Sequence, residues 1–144
     1  MAGIGGVCRS NTAQFICAFS EGIGWNYALV AEALAARRAL LMARQFQMKH
    51  VMLESDNLLI VNLLKGQTRD VPWRITTIIS DCRSLFSYFD VILFEHVLRE
   101  ANSVADSLAT KAPESQHSMC WLSIPPPFIS PLLFADASGT LFPR

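Results

Sequence analysis

The segment from Asn26 to about Gln47 constrains the fold most, because its composition favours a helix over any other structure. Ala, Leu, Met, Arg and Gln dominate it, and it contains neither glycine nor proline. A helix of this length needs an apolar surface to pack against. Of the 144 residues, 51% are hydrophobic and 17% charged, which is enough for the core of one domain and too apolar for a disordered chain.

Short apolar segments around this helix predict four β-strands. Residues 3–9 and 14–20 flank the turn-prone cluster Ser10-Asn11-Thr12, and this pattern is typical of a hairpin. Residues 50–54 form an apolar run that predicts a buried strand, and residues 91–97 are also strand-like.

Three further helices are expected. Asp56 opens the segment 57–65, which ends at Gly66, and Pro72 introduces a segment with apolar positions three and four residues apart. A last helix covers 102–111, capped by Asn102 or Ser103. Because helices alternate with strands, the sequence predicts an α/β sheet. From Pro113 onward the composition changes to six of the seven prolines and few charges, which divides the chain into a domain of residues 1–112 and a tail, 113–144, without a helix or a regular domain.

Several classes of protein are excluded. No apolar run approaches the roughly 18 to 20 residues of a membrane span, and the first 25 residues lack a secretory signal. Four scattered cysteines favour free thiols in a reducing compartment, so we expect an intracellular protein, nuclear or cytoplasmic. His117 and Cys120 alone are too few for a zinc site.

The net charge of zero combines a basic first part of the chain with an acidic second part. A uniformly basic nucleic-acid binder is therefore not expected, although this charge distribution is compatible with a basic patch beside an acidic site.

Glu32 is the first acidic residue that its surroundings single out. A helical projection places Arg37, Arg38 and Arg44 on the opposite side of the helix. Its own side carries Ala28, Ala35, Ala36, Ala39 and Ala43. An acid that complements the helix dipole is the alternative, but with Asn26 as cap Glu32 lies past the first turn, where that effect fades. A functional carboxylate is therefore favoured.

Asp56 and Asp106 are the other two candidate acids. Asp56 follows the apolar strand 50–54, where it is either an N-cap or a site residue at the carboxyl end of a strand. Asp106 lies in the last helix, where it either complements the helix N-terminus or has a function. Clustered carboxylates repel one another, so three acids from three elements predict a site for divalent cations.

The motifs that carry these acids resemble a known family. AGIGGVCR, NYALVAEALAARRAL, VMLESDNLLIVNLLKG and FEHVLREANSVADSLA look like the successive motifs of plant ribonuclease H-like domains of type 1, the reverse-transcriptase-associated group. The resemblance covers about residues 2–112. It implies a mixed sheet with helices on both faces and an endonuclease that cuts the RNA strand of an RNA–DNA hybrid with two Mg²⁺ (or Mn²⁺) ions. It also implies that Glu32, Asp56 and Asp106 hold these ions.

Other residues acquire roles from the same resemblance. Asn26 and Asn57 are either sugar or phosphate contacts or helix caps, and the caps are favoured. The family's first strand ends in an Asp and would precede Ala2, so the fold is expected with this strand missing or replaced. Leu132–Ala135, followed by Asp136, resembles that strand and is a candidate replacement.

Three functions follow as alternatives. The first is hybrid cleavage, and the second is a retroelement-derived module that binds nucleic acid without cutting it. The third is a protein-interaction module that uses the aromatic and proline-rich segment of the tail, with Trp121 and Pro125–Phe128.

Overall fold

The computed structural model describes residues 2–9, 15–24, 27–98, 107, 109 and 119–122. The chain divides into two compact units, one formed by residues 1–27 and 99–144 and the other by 28–98. The described elements are strands β1 (Ala2–Arg9), β2 (Phe15–Gly24), β3 (His50–Ser55), β4 (Val91–His96) and β5 (Met119–Leu122), and helices α1 (Ala28–Gln45), α2 (Leu58–Lys65) and α3 (Thr76–Leu85). Turns of 3-10 helix at Trp73–Ile75 and Phe86–Tyr88 flank α3.

The first unit contains an antiparallel sheet with the strand order β1-β2-β5. β1 and β2 pair along their length, with Gly5 opposite Ser20, which confirms the predicted hairpin, although its turn lies outside the described residues. β2 continues beyond the predicted end to Gly24, a glycine with φ 73°. Ile4 and Phe19 are buried.

Part of the predicted tail is regular. Met119–Leu122 form β5, which pairs antiparallel with β2 and places Trp121 opposite Ala18. A short apolar run of this kind becomes a strand because the second edge of β2 offers it backbone hydrogen-bonding partners. The division at residue 113 and a protein partner at the tail remain predictions.

The second unit is built on a parallel pair, β3 and β4, in register from His50 opposite Val91 to Ser55 opposite His96. Alternate residues of the pair pack against the core formed by α1, α2 and α3: Val51, Leu53, Ile92 and Phe94. The other face carries Met52 and Leu93, which are 53% and 52% exposed. Of the predicted last helix, 102–111, only Ser107 and Ala109 are described, and both are helical.

Within the described ranges, β1 and β3 are each an edge strand of their sheet. The predicted replacement strand, Leu132–Ala135, and Asp136 lie outside the described residues. A missing or replaced first strand therefore remains a prediction.

The core of the second unit follows from the apolar periodicity of its helices. Its fully buried residues include Ala33, Leu40, Ile60, Leu63, Ile75, Ile79 and Cys82. Two polar contacts link the helices at its margin: Arg37 of α1 pairs with Asp81 of α3 at 2.8 Å, and Arg83 Nη2 donates to the Leu63 carbonyl of α2 at 2.8 Å. No helix in the described ranges has the length and apolarity needed to cross a membrane.

Cys82 is a free thiol that behaves as a core residue. Burial raises its pKa to about 11, a rise that the nearby Arg37 opposes and Asp81 supports. The thiol is therefore protonated at neutral pH, and the expectation of a free cysteine is confirmed at this position.

Two helices end in the same backbone motif with different residues at the critical position. At the end of α2, Gly66 has φ 75°, and the N–H of Gln67 donates to the Asn62 carbonyl. At the end of α1, Gln47 has φ 57°, and the N–H of Met48 donates to the Ala43 carbonyl. Glycine is favoured at such a position because a Cβ strains the left-handed conformation.

We therefore expect Gln47→Gly to raise the free energy of unfolding by about 0.5–1 kcal/mol in urea denaturation. The matched change is Gly66→Gln, which should lower it by about as much, because no atom lies within 4 Å of a Cβ added there and only the backbone is strained. Destabilisation by Gln47→Gly would show that its side chain makes contacts worth more than the backbone strain.

Candidate functional site

The junction between β3 and α2 positions Asp56, and groups other than its carboxylate hold it in place. The N–H of Asn57 donates to Ser55 Oγ at 3.1 Å, and the N–H of Ile60 donates to Asn57 Oδ1 at 3.1 Å. The N–H of Val97 donates to the Ser55 carbonyl at 3.0 Å. Backbone and neighbouring side chains therefore fix the turn that carries Asp56.

Asn57 is the N-cap of α2, as favoured from the sequence, and the alternative of Asp56 as N-cap is wrong. The cap falls one residue later because α2 begins at Leu58. Asp56 is half-buried, and within the described residues its carboxylate has no hydrogen-bonding or ion-pairing partner. A carboxylate without a structural role at the carboxyl end of a strand is typical of a binding residue.

His96 belongs to this site and was missed from the sequence. Its place in the strand-like segment 91–97 favours a packed side chain, and this prediction is wrong, because the imidazole is exposed. Its Nε2 lies 3.2 Å from the backbone oxygen of Asp56, and because a carbonyl only accepts, Nε2–H is the donor. The signal available in the sequence was its position at the end of β4, level with Ser55 at the end of β3.

Glu32 lies in the second turn of α1, because the helix begins at Ala28. Its first turn contains no acid, so the dipole alternative has no support at this position. Glu32 is half-buried, whereas Arg37 pairs with Asp81 of α3. That Glu32 lies on the opposite side of α1 from the arginines remains a prediction.

The remaining predicted site residues, Asp106 and Asn26, lie outside the described residues. Within the part of the chain that the structure describes, no three His, Cys, Asp or Glu side chains are grouped closely enough to hold a metal ion. The structure therefore describes Glu32 and Asp56 as two half-buried acids of the second unit, and their role as metal ligands, like that of Asp106, remains a prediction.

Comparison with known families matches residues 1–112 to the reverse transcriptase-like family. The chain belongs to the reverse transcriptase-like family. A relative from Arabidopsis thaliana, named as a ribonuclease H protein, is 31% identical over all 144 residues, which span 23% of that protein.

Solved ribonuclease H1 structures share the fold of this family member. The enzyme of the archaeon Halobacterium salinarum is 26% identical, with a TM-score of 0.75 over 78% of this chain and 86% of that one. LC11-RNase H1, isolated from compost, in complex with an RNA/DNA hybrid is 25% identical, with a TM-score of 0.73 over the same shares. The resemblance to the ribonuclease H-like domains and the predicted α/β fold are confirmed.

Because groups other than its carboxylate hold Asp56 in place, substitutions at Asp56 and at Asn57 should have different effects on stability. Asn57→Ala should lower the free energy of unfolding by about 1 kcal/mol because it removes the N-cap. Asp56→Asn should change it by less than about 0.5 kcal/mol, since the carboxylate has no partner in the described structure. Urea denaturation measures both, and an equal loss in the two variants would show that the Asp56 carboxylate is structural.

Proposed function

We propose that this chain binds RNA–DNA hybrids and hydrolyses their RNA strand as a type 1 ribonuclease H. The observation that carries the proposal is the Asp56 carboxylate, which is half-buried at the carboxyl end of β3 while other groups make every hydrogen bond of its turn. A residue is suited to bind a ligand when its backbone is held in place and its side chain makes no structural contact.

The ligand in this proposal is a pair of Mg²⁺ or Mn²⁺ ions held by Glu32, Asp56 and Asp106. Carboxylate oxygens are the ligands that these ions prefer. Glu32 and Asp56, the two acids that the structure describes, are both half-buried, and within the described residues no arginine or lysine pairs with Asp56. When bound by these carboxylates, the ions would supply activation of a water and stabilisation of the leaving oxygen of a phosphodiester.

The chain's own residues orient the site. The His96 Nε2–H holds the backbone of Asp56 at 3.2 Å, and the Asn57 cap fixes the first turn of α2 behind it. These contacts reduce the entropy that a ligand would otherwise lose on ordering the turn. They also couple the ends of β3 and β4, so that the backbone that carries the carboxylate is held in place.

Substrate recognition in this proposal depends on phosphates and on the ribose 2′-hydroxyl that distinguishes RNA from DNA. Asn57 is suited to both of its predicted roles, because the cap uses Oδ1 and leaves the Nδ2 amide as a donor. The hybrid bound by LC11-RNase H1 supports a nucleic-acid partner for this chain. Asn26 is proposed as a second contact from the sequence alone.

The test is cleavage of an RNA–DNA hybrid with labelled RNA in Mg²⁺, with EDTA as the blank. We expect Asp56→Asn, Glu32→Gln and Asp106→Asn each to lower kcat at least about 100-fold with little change in hybrid binding, since each removes a metal ligand. Asp70→Asn is the matched control, because Asp70 is an exposed acid in the loop after α2, and it should keep full activity.

Hybrid binding without cleavage in either metal would contradict the proposal and leave the nucleic-acid-binding module. Cleavage that survives Asp56→Asn would mean that another residue holds the metal. Failure of the hybrid to bind would remove both functions and leave the protein-interaction alternative.

A further inference from the structure

A cluster of two cations on one tyrosine lies at the opposite end of β3 from Asp56. The Arg44 guanidinium stacks over the Tyr88 ring, with its carbon 3.7 Å from the ring centroid, and Lys49 Nζ donates to the Tyr88 carbonyl at 3.4 Å. These residues line a pocket of about 400 Å³ together with Gln47 and Met48. The three elements that meet here are the end of α1, the start of β3 and the turn before β4.

The pocket is separate from the proposed metal site. Lys49 directly precedes β3 and Asp56 directly follows it, so the six residues of the strand separate them by about 20 Å at roughly 3.3 Å per residue. The two sites therefore cannot share one ion, and the properties of one can be tested without the other.

Both cations have hydrogen-bonding capacity to spare. Stacking leaves the edge of the Arg44 guanidinium open in a fixed plane, and Lys49 uses one of its three donors in a long hydrogen bond. Within the described residues, no carboxylate pairs with either cation. Asp90 is the nearby acid in the chain, and the described contact is its backbone N–H donating to the Lys49 carbonyl at 2.8 Å.

A purely structural role explains only part of the arrangement of Arg44, Lys49 and Tyr88. A cation in the last turn of α1 complements the helix dipole, which accounts for Arg44 but not for its stacking or for Lys49. Gln47 adds a second argument, because it lines the pocket from a left-handed conformation in which glycine would be favoured. Residues strained in this way cluster at binding sites.

We propose that this pocket binds a phosphate group. A planar guanidinium, an ammonium and an amide donor match the oxygens of a phosphate, while the Tyr88 ring and Met48 form an apolar wall. The phosphate belongs either to a free ion or monoester or to the backbone of a nucleic acid. The proposal does not depend on hybrid cleavage.

The test is an NMR titration of the full chain in EDTA, which keeps metal ions out of the experiment. Sodium phosphate is compared with sodium chloride at equal ionic strength, and a dT8 oligonucleotide without terminal phosphates is titrated separately. We expect the amide signals of Gln47, Met48 and Lys49 to shift saturably with phosphate and not with chloride. Saturation by dT8, displaced by phosphate, assigns the nucleic-acid backbone, whereas saturation by phosphate alone assigns the free ion or monoester.

Variants separate a built site from general attraction between charges. Arg44→Gln and Lys49→Gln should each weaken phosphate binding about tenfold, because each removes a charged donor. Tyr88→Leu should weaken it several-fold while leaving both charges, since it removes the surface that orients Arg44. Arg69→Gln removes an equal charge from the loop after α2 and should leave the affinity unchanged. Circular dichroism confirms that each variant is folded.

Equal shifts in chloride and phosphate would overturn the proposal. It would also be overturned if folded Arg44→Gln and Lys49→Gln kept the affinity of the parent chain, or if Arg69→Gln weakened binding as much as they do.

Discussion

The parallel pairing of β3 with β4 is the constraint on which the second unit depends. A parallel pair needs a long crossover, and here α2 and α3 provide it while their apolar faces cover Val51, Leu53, Ile92 and Phe94. The register of this pair determines which residues meet at each end of the two strands. At the carboxyl end it brings His96 and Val97 to the turn after Ser55, and at the amino end it brings Tyr88 beside Lys49. One ladder of hydrogen bonds therefore positions two polar sites about 20 Å apart.

The two ends of the β3–β4 pair carry side chains of opposite charge, and at each end neighbouring groups hold the charged residues in place. At one end a carboxylate, Asp56, is left without a described partner while Asn57 and Ser55 satisfy the helix terminus. At the other end, Arg44 is oriented by a ring and Lys49 by a carbonyl, again with donors to spare. At both ends, charged side chains keep hydrogen-bonding capacity that the described contacts do not use. The acidic end suits divalent cations and the basic end suits phosphate.

Local chemistry explains what the sequence predicted well. Helix α2 and its stop at Gly66 follow from a capping residue and a C-terminal glycine at the two ends of one apolar segment, and the amphipathic period identified α3. Glu32 and Asp56 stood out as acids among apolar neighbours, and the family resemblance agreed with them, but their role as metal ligands remains a prediction. Predictions were wrong or incomplete where the deciding partner is distant. His96 is 40 residues from Asp56, β5 forms only because β2 offers an edge, and Gln47 adopts a conformation that no glycine signals.

Paramagnetic broadening of backbone amide signals by Mn²⁺ tests the central claim, that the Asp56 end of the ladder holds divalent cations. We predict that substoichiometric Mn²⁺ broadens the signals of Ser55, Asp56 and Asn57 and those of His96 and Val97 first, and that Asp56→Asn abolishes this selectivity. The signals of Lys49 and Tyr88, at the other end of the strands, should stay sharp. Broadening that is uniform along the chain, or that persists in Asp56→Asn, would contradict the account.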